Sequence, residues 1–224
     1  MELSPVEARV MGSLAEKQLT TPQHYPLTLN ALVLACNQTS NREPIVAYDE
    51  TTVEPALFSL KEAGLLRYVH PSQGRSATRY RQVLDERFGL DPRSLSLLAV
   101  LVLRGPQTVG ELRARTERMA EFSDLEDLEA ELGRLGADPD ALVRRLPLRP
   151  GQKEERWAQL LTGEAPETAA VGDSGPAVAE TGGPGGSVSL RDEVASLRAD
   201  LDALQAEVVG MRAVVEEVRA AFGL

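Results

Sequence analysis

Arginines are the side chains of this sequence best suited to binding chemistry, and they gather in two short segments. Residues 67–81 hold four arginines, one histidine and no acid, and residues 144–156 hold four arginines and one lysine against two glutamates. On exposed hairpins such cations clasp DNA phosphates or enter a minor groove. They can equally be solvated charges that are partly paired with acidic helices nearby. The residues predicted to contact double-stranded DNA are Arg67, Arg75, Arg79, Arg81, Arg144, Arg145, Arg149 and Lys153.

A second polar segment, residues 37–42, follows an apolar run and contains Asn37, Gln38, Asn41 and Arg42. One hypothesis is that this donor-rich loop grips a ligand, a phosphate or the backbone of a partner. The other is that it is a helix end whose Asn and Ser side chains satisfy nearby backbone groups, and we favour this one.

Residues for catalysis or metal binding are not arranged in any recognisable set. The two histidines, His24 and His70, are far apart in sequence and have no cysteine or acid at metal-ligand spacing. The single cysteine, Cys36, lies in an apolar run, where a buried thiol is expected to be unreactive. No glycine-rich segment follows a strand, so no phosphate-cradling loop is expected. We therefore predict a protein that is not an enzyme and that has no cofactor, no metal and no evident small-molecule ligand.

Two segments of similar plan are expected to position these cations. Each starts with a capping side chain followed by proline, Ser4-Pro5 in the first and Asp91-Pro92 in the second, which is a strong helix start. In each segment, periodicity then predicts two more helices, ended by Gly64 and Gly136, and two strands joined by turn residues. The predicted helices span 27–38, about 50–63, 109–119 and 124–135, and the predicted strands span 66–70, 78–83, 142–148 and 155–161.

Three helices followed by a β-hairpin form a winged helix-turn-helix, and this plan occurs twice. The fold class predicted is mainly α with small β-hairpins, as tandem winged helix-turn-helix domains plus a C-terminal coiled-coil helix. The third helices are expected to be capped by Asp49 and Ser123, with Leu125 of the second one facing the core. The predicted boundaries are a winged-helix domain over 1–86, another over 87–162, a flexible Gly/Pro/Ala linker over 163–187 and the coiled coil over 188–224.

The last segment has apolar residues that alternate at spacings of four and three without a skip. A helix supercoiled around a partner keeps this period, whereas a helix packed on a core drifts from it. Valine at a positions with leucine at d positions favours two parallel strands, and parallel pairing sets Glu193 against Arg198. The alternative is a tail that folds back on its own domains or frays. The residues predicted to form the parallel homodimer are Leu190, Val194, Leu197, Leu201, Leu204, Val208, Met211, Val215, Val218 and Phe222.

Composition limits the partners and the compartment. The net charge is -10, and most of it lies in residues 163–224, which carry 4 basic and 11 acidic side chains. The longest apolar run, near residues 95–103, is too short to span a bilayer, so no membrane association is expected. A single cysteine fits a reducing compartment, and a cytoplasmic protein is expected.

Two stretches resemble a known family. Residues 16–27, EKQLTTPQHYPL, and residues 36–44, CNQTSNREP, are similar to the YceH-like proteins, an uncharacterised bacterial family. The resemblance covers about residues 2–164. It implies a tandem winged-helix fold and, because the family has no settled activity, it implies none here.

Two functions remain open. The first is a dimeric winged-helix DNA-binding protein, regulatory or chromosome-associated, that contacts DNA through its arginine-rich wings. Against ordinary recognition-helix binding, residues 49–63 carry four acids and one lysine, which a phosphate-lined groove would repel. The alternative is a non-enzymatic adaptor whose acidic third helices bind a basic protein partner.

Overall fold

A computed structural model of the chain describes residues 2–70, 77–137, 141–148 and 151–163. These residues form seven α-helices, one 3-10 helix and five strands in two antiparallel sheets. The fold is therefore mainly helical with small antiparallel sheets, as the sequence predicts. The predicted linker beyond Gly163 and the predicted coiled coil lie outside the described residues, as do the hairpin positions Arg75 and Arg149.

The first half of the described chain contains three α-helices and one small sheet. In this sheet the middle strand, residues 79–82, pairs antiparallel with residues 27–28 on one side and with residues 66–69 on the other. Tyr68 faces Tyr80 across the hairpin, and their rings meet edge to face with centroids 5.0 Å apart. The elements are α1 (Pro5–Thr20), a 3-10 helix (Pro22–His24), β1 (Leu27–Thr28), α2 (Leu29–Cys36), α3 (Glu50–Glu62), β2 (Leu66–Val69) and β3 (Arg79–Gln82).

The second half repeats this plan after a short connecting helix. In place of β1, the single residue Gln107 pairs with Trp157 on the last strand, just before the second helix of this half. The elements are α4 (Leu84–Phe88), α5 (Pro92–Arg104), α6 (Val109–Thr116), α7 (Leu125–Leu135), β4 (Val143–Leu146) and β5 (Arg156–Gln159), with β4 and β5 antiparallel.

The predicted starts of α1, α3 and α5 are confirmed. The Ser4 hydroxyl accepts a hydrogen bond from the Glu7 backbone N–H, and the Glu7 carboxylate accepts one from Ser4, which is a complete capping box. Asp91 caps α5 through the Ser94 backbone N–H, and Asp49 caps α3.

Several local predictions are wrong. The helix expected over 27–38 begins at Leu29, because residues 27–28 pair with β3 instead, and α6 ends at Thr116. The cap of α7 is Asp124, since its carboxylate accepts from the Asp127 backbone N–H. Leu125 is 45% exposed and does not face the core.

The two glycines that end the third helices differ. Gly64 has φ 70, the left-handed conformation expected of a helix-ending glycine. Gly136 has φ -92, so it needs no special backbone conformation. A Cβ there would lie 3.2 Å from the Val143 carbonyl oxygen and 3.5 Å from the Trp157 ring, and close packing is the better reason for glycine.

One hydrophobic core spans both halves. Helix α5 is buried on nearly all sides because it packs against α1, α6, α7 and β5. Leu14 of α1 and Leu97 and Leu101 of α5 are fully buried in this core. A Cβ at Gly12 would lie 2.9 Å from side-chain atoms of Val102 and Leu103, so glycine permits the close approach of the two helices. The boundary predicted after residue 86 falls inside α4. No helix in the described ranges is both long and apolar enough to cross a membrane.

Candidate functional site

The arginines of the first hairpin are held by the chain itself. Arg67 and Arg81 both reach Glu86 of α4, at 2.7 and 2.6 Å. Arg79 donates a hydrogen bond of 2.8 Å to the Pro26 carbonyl oxygen. The structure therefore brings together three of the four predicted contact residues of this hairpin, and two of them, Arg67 and Arg81, pair with the same carboxylate of Glu86.

In the second hairpin, Arg145 interacts with three other side chains. It forms ion pairs with Glu129 of α7 and with Glu155, the latter at 3.0 Å, and its guanidinium lies 5.3 Å from the centre of the Trp157 ring. Arg144 and Lys153 are exposed. The pairing with Glu129 fits the alternative weighed from the sequence, in which hairpin cations neutralise the acidic third helices.

These pairs do not fix the arginines permanently. The side chains of Arg67 and Arg145 are 58% and 44% exposed, and exposed ion pairs contribute about 0–1 kcal/mol each. A phosphate can therefore replace the carboxylate at small cost. Locally, however, the carboxylates cancel much of the positive potential that would attract DNA.

The polar loop is tied down by hydrogen bonds to its own neighbourhood. Asn37 donates to the Tyr48 carbonyl oxygen at 2.7 Å and accepts from the Tyr48 backbone N–H at 2.8 Å. Arg42 has a fully buried side chain that donates to both carboxylate oxygens of Glu16 and to the Ala35 carbonyl oxygen. Gln38 in turn accepts from Arg42 at 2.9 Å. These contacts favour the structural interpretation of the loop.

Asn41 differs from its neighbours. Its φ of 58 is left-handed, a conformation that asparagine tolerates better than most residues. Its Oδ1 accepts a hydrogen bond of 2.7 Å from Arg104 at the end of α5. The loop is also attached to α5 through the backbone, because the Glu43 N–H donates to the Leu103 carbonyl oxygen at 2.8 Å.

Arg9 and Glu16 form a buried polar layer that the sequence prediction missed. Arg9 donates to the carbonyl oxygens of Cys36 and Pro44, at 3.2 and 2.5 Å. Burial raises the pKa of Glu16, but the hydrogen bonds and charge of Arg42, with a smaller effect of Lys17, lower it by more, so that it lies below its usual range. The sequence contained a signal that could have predicted this buried polar layer. Residues 9, 13 and 16 are polar and recur at helical spacing on a face of α1 that also carries apolar side chains.

The outward face of α3 is acidic and exposes an aromatic ring. Glu54, Phe58 and Glu62 follow one another at four-residue spacing, which places them on one face, and all three are exposed. Phe58 is 62% exposed. The only cation of this helix, Lys61, lies over the Tyr68 ring, 5.1 Å from its centre. We call Glu54, Phe58 and Glu62 the α3 face.

Within the described ranges, no group of three His, Cys, Asp or Glu side chains is placed to hold a metal ion. Cys36 is fully buried, as predicted, and burial raises the pKa of its thiol. A protonated, enclosed thiol is a poor nucleophile.

The fold and these surfaces define a mainly helical protein with two small antiparallel sheets. It belongs to the family described as "Protein of unknown function, DUF480", which matches residues 3–152. It is 54% identical over 168 residues to a UPF0502 protein of Geotalea daltonii, covering 75% of this chain and 76% of that one. Identity to a UPF0502 protein of Solibacter usitatus is 47% over 202 residues, covering 89% and 91%. A UPF0502 protein of Geobacter sulfurreducens is 45% identical over 224 residues, covering 98% of both.

Proposed function

We propose that this protein is a non-enzymatic adaptor built from two winged helix-turn-helix units, and that the α3 face binds a basic protein segment. The order of helix, short strand, two helices and hairpin in residues 5–82 supports the winged-helix assignment. The pairing of Gln107 before α6 supports a repeat of the same plan in residues 92–159. The proposal includes a cytoplasmic location and a parallel coiled-coil homodimer through residues 188–224.

The observation that carries this proposal is the exposed ring of Phe58 between two carboxylates. In a soluble protein an exposed aromatic side chain costs solvation free energy, and such rings serve as anchors at interfaces. Glu54 and Glu62 on either side favour lysine or arginine in the partner and oppose a phosphate backbone. Lys61 is directed onto Tyr68, and its single charge offsets only part of that of the two glutamates.

DNA binding through the hairpins is the second candidate, and one observation favours it. Arg79, Arg144 and Lys153 are exposed on the hairpins, and the carboxylates paired with their neighbours are themselves solvated. Dimerisation through the predicted coiled coil would add the weak contacts of two copies. We rank it second because Glu86 and Glu129 already neutralise part of this charge.

A titration of the full chain tests both candidates. Fluorescence anisotropy would follow a labelled amphipathic peptide rich in lysine and leucine, and separately a labelled DNA duplex, at low and moderate salt. The adaptor proposal expects peptide binding that Phe58→Ala weakens by about tenfold, equivalent to ~1.4 kcal/mol. Leu125→Ala, which removes an exposed apolar side chain from α7, is the matched control and should leave the affinity within about twofold.

Two results would reject the adaptor proposal. One is peptide binding that is the same in Phe58→Ala and wild type. The other is no peptide binding together with duplex binding that falls with salt and with Arg75→Ala or Arg79→Ala, which would establish the DNA-binding candidate.

A further inference from the structure

A pocket of about 390 Å³ lies between the end of α1, the polar loop, and the C-terminal ends of α5 and α6. Its volume is in the range of small-molecule sites. Val100 and Leu103 of α5 give it an apolar wall, and Asn41 contributes a polar edge. The cations that line it are Lys17, Arg104, Arg115 and Arg118.

The carboxylates near this pocket are already engaged. Among the described residues, Glu16 is the one acid that lines it, and Arg42 binds its carboxylate from the buried side at 2.6 Å. Lys17 lies 3.4 Å from the same carboxylate. Outside the lining, Glu111 is 4.0 Å from Arg115 but only 2.9 Å from Arg156. The pocket therefore carries an excess of positive charge.

Arg104 and Arg118 have no acidic partner among the residues that the structure describes, and Arg115 has only the long contact with Glu111. Arg104 donates to Asn41, which is a neutral acceptor. Arg118 forms no hydrogen bond or ion pair with any residue that the structure describes. Burial lowers the pKa of Arg115, and the positive charge of Arg104 lowers it further, because two cations are held close together. Like charges gathered in a concave surface raise its potential and attract an anion.

We propose that this pocket binds a small molecule that carries a phosphate or polyphosphate group. Guanidinium groups present several N–H donors in one plane, which matches the oxygens of a phosphate. The apolar wall at Val100 and Leu103 suits a ligand that also has a less polar portion, as a nucleotide does. The concave shape and the volume of about 390 Å³ favour a small molecule over the backbone of a nucleic acid.

The proposal gives the polar loop a second role that is compatible with its structural one. The buried Arg42–Glu16 pair fixes the loop and removes the charge of Glu16 from the pocket. Asn41, at the edge, orients Arg104. The sequence indicated no small-molecule ligand because the four cations are far apart in the chain: Lys17 lies on α1, Arg104 on α5 and Arg115 on α6, and Arg118 follows α6. Only the packing of these helices brings them together.

Isothermal titration calorimetry with the full chain tests the site, with pyrophosphate and ATP as probes and citrate as a polyanion without phosphate. We expect both probes to bind, and Arg115→Ala and Arg118→Ala each to weaken binding by about tenfold, equivalent to ~1.4 kcal/mol. The matched control is Arg113→Ala, since Arg113 is exposed on the same helix, contacts the Ser123 carbonyl oxygen and does not line the pocket. This control should bind within about twofold of wild type.

Two results with the phosphate probes would overturn the proposal: no heat of binding with either probe, or a loss of affinity in Arg113→Ala equal to that in the pocket variants. Citrate binding as tight as that of pyrophosphate would also overturn it. So would binding of a DNA duplex that the pocket variants lose and that pyrophosphate does not displace. Arg118→Ala removes an exposed side chain, so a circular dichroism spectrum like that of wild type is expected and separates lost binding from lost folding. The α3 face is not involved, and Phe58→Ala should leave phosphate binding unchanged.

Discussion

Replacing Glu16 by glutamine should cost more stability than any exposed charge change in this protein. Glutamine has nearly the same shape, but it removes the negative charge that compensates Arg42. The Arg42 side chain is fully buried and that of Glu16 is 11% exposed, so the remaining cation would stay in the interior without a counter-charge. Its hydrogen bonds to the Ala35 carbonyl oxygen would persist.

The expected loss follows from this burial. Removing one partner of a buried ion pair costs about 3–5 kcal/mol, and because glutamine still offers one acceptor we expect about 3 kcal/mol. For a chain of this size that corresponds to a fall in melting temperature of roughly 6–12 °C. Glu86→Gln is the control, because Glu86 pairs with Arg67 and Arg81 at an exposed position and the loss of these two pairs should cost at most about 2 kcal/mol.

Chemical and thermal unfolding followed by circular dichroism measures both changes. The folded-state pKa of Glu16 lies below its ordinary value of 4.5, so the ionised carboxylate stabilises the fold above that pH and the stabilisation is lost as the pH falls through the lowered pKa. The difference between wild type and Glu16→Gln should therefore be full at neutral pH and shrink in acid. A Glu16→Gln variant that loses no more stability than Glu86→Gln would refute the reasoning, as would a difference that does not change with pH.

Two further predictions concern packing and reactivity. Gly12→Ala should lower the free energy of unfolding in a urea titration by about 1–3 kcal/mol, because the new Cβ would lie 2.9 Å from atoms of Val102 and Leu103. Gly133→Ala is the control and should be neutral or stabilising, because a Cβ there meets nothing within 4 Å. Equal effects of the two variants would contradict the packing argument. The Cys36 thiol should resist a disulfide reagent in the folded protein and react once urea unfolds the chain. The reason is that the thiol is fully buried and that burial raises its pKa. Rapid labelling without urea would contradict this prediction, because it would show that the thiol is accessible.

Local sequence signals predicted most of the helices and strands. The capping box at Ser4 and the Asp91-Pro92 start depend on neighbouring residues alone, and both are where the sequence placed them. The limits of α2 were not predictable in this way. Residues 27–28 have a partner more than fifty residues away, at Tyr80, and a local pattern carries no information about that pairing.

The binding surfaces were less predictable than the fold. Hairpin arginines were correctly recognised as clusters of charge, but their carboxylate partners come from other elements, as Glu129 does for Arg145. Phe58 was not singled out, because a phenylalanine in an amphipathic helix normally packs inward. Its 62% exposure depends on which face of α3 the sheet and α1 cover.

The sequence by itself determined where α1, α3 and α5 start, most of the apolar faces and that positive charge gathers on the hairpins, because these depend on residues a few positions apart. The tertiary structure alone decided that α1 and α5 share a core, that Arg42 neutralises Glu16, and that Lys17, Arg104 and Arg118 line one pocket. Each of these is a meeting of residues distant in the chain. Close packing and the cost of burying an unpaired charge select such meetings, and no local pattern encodes them.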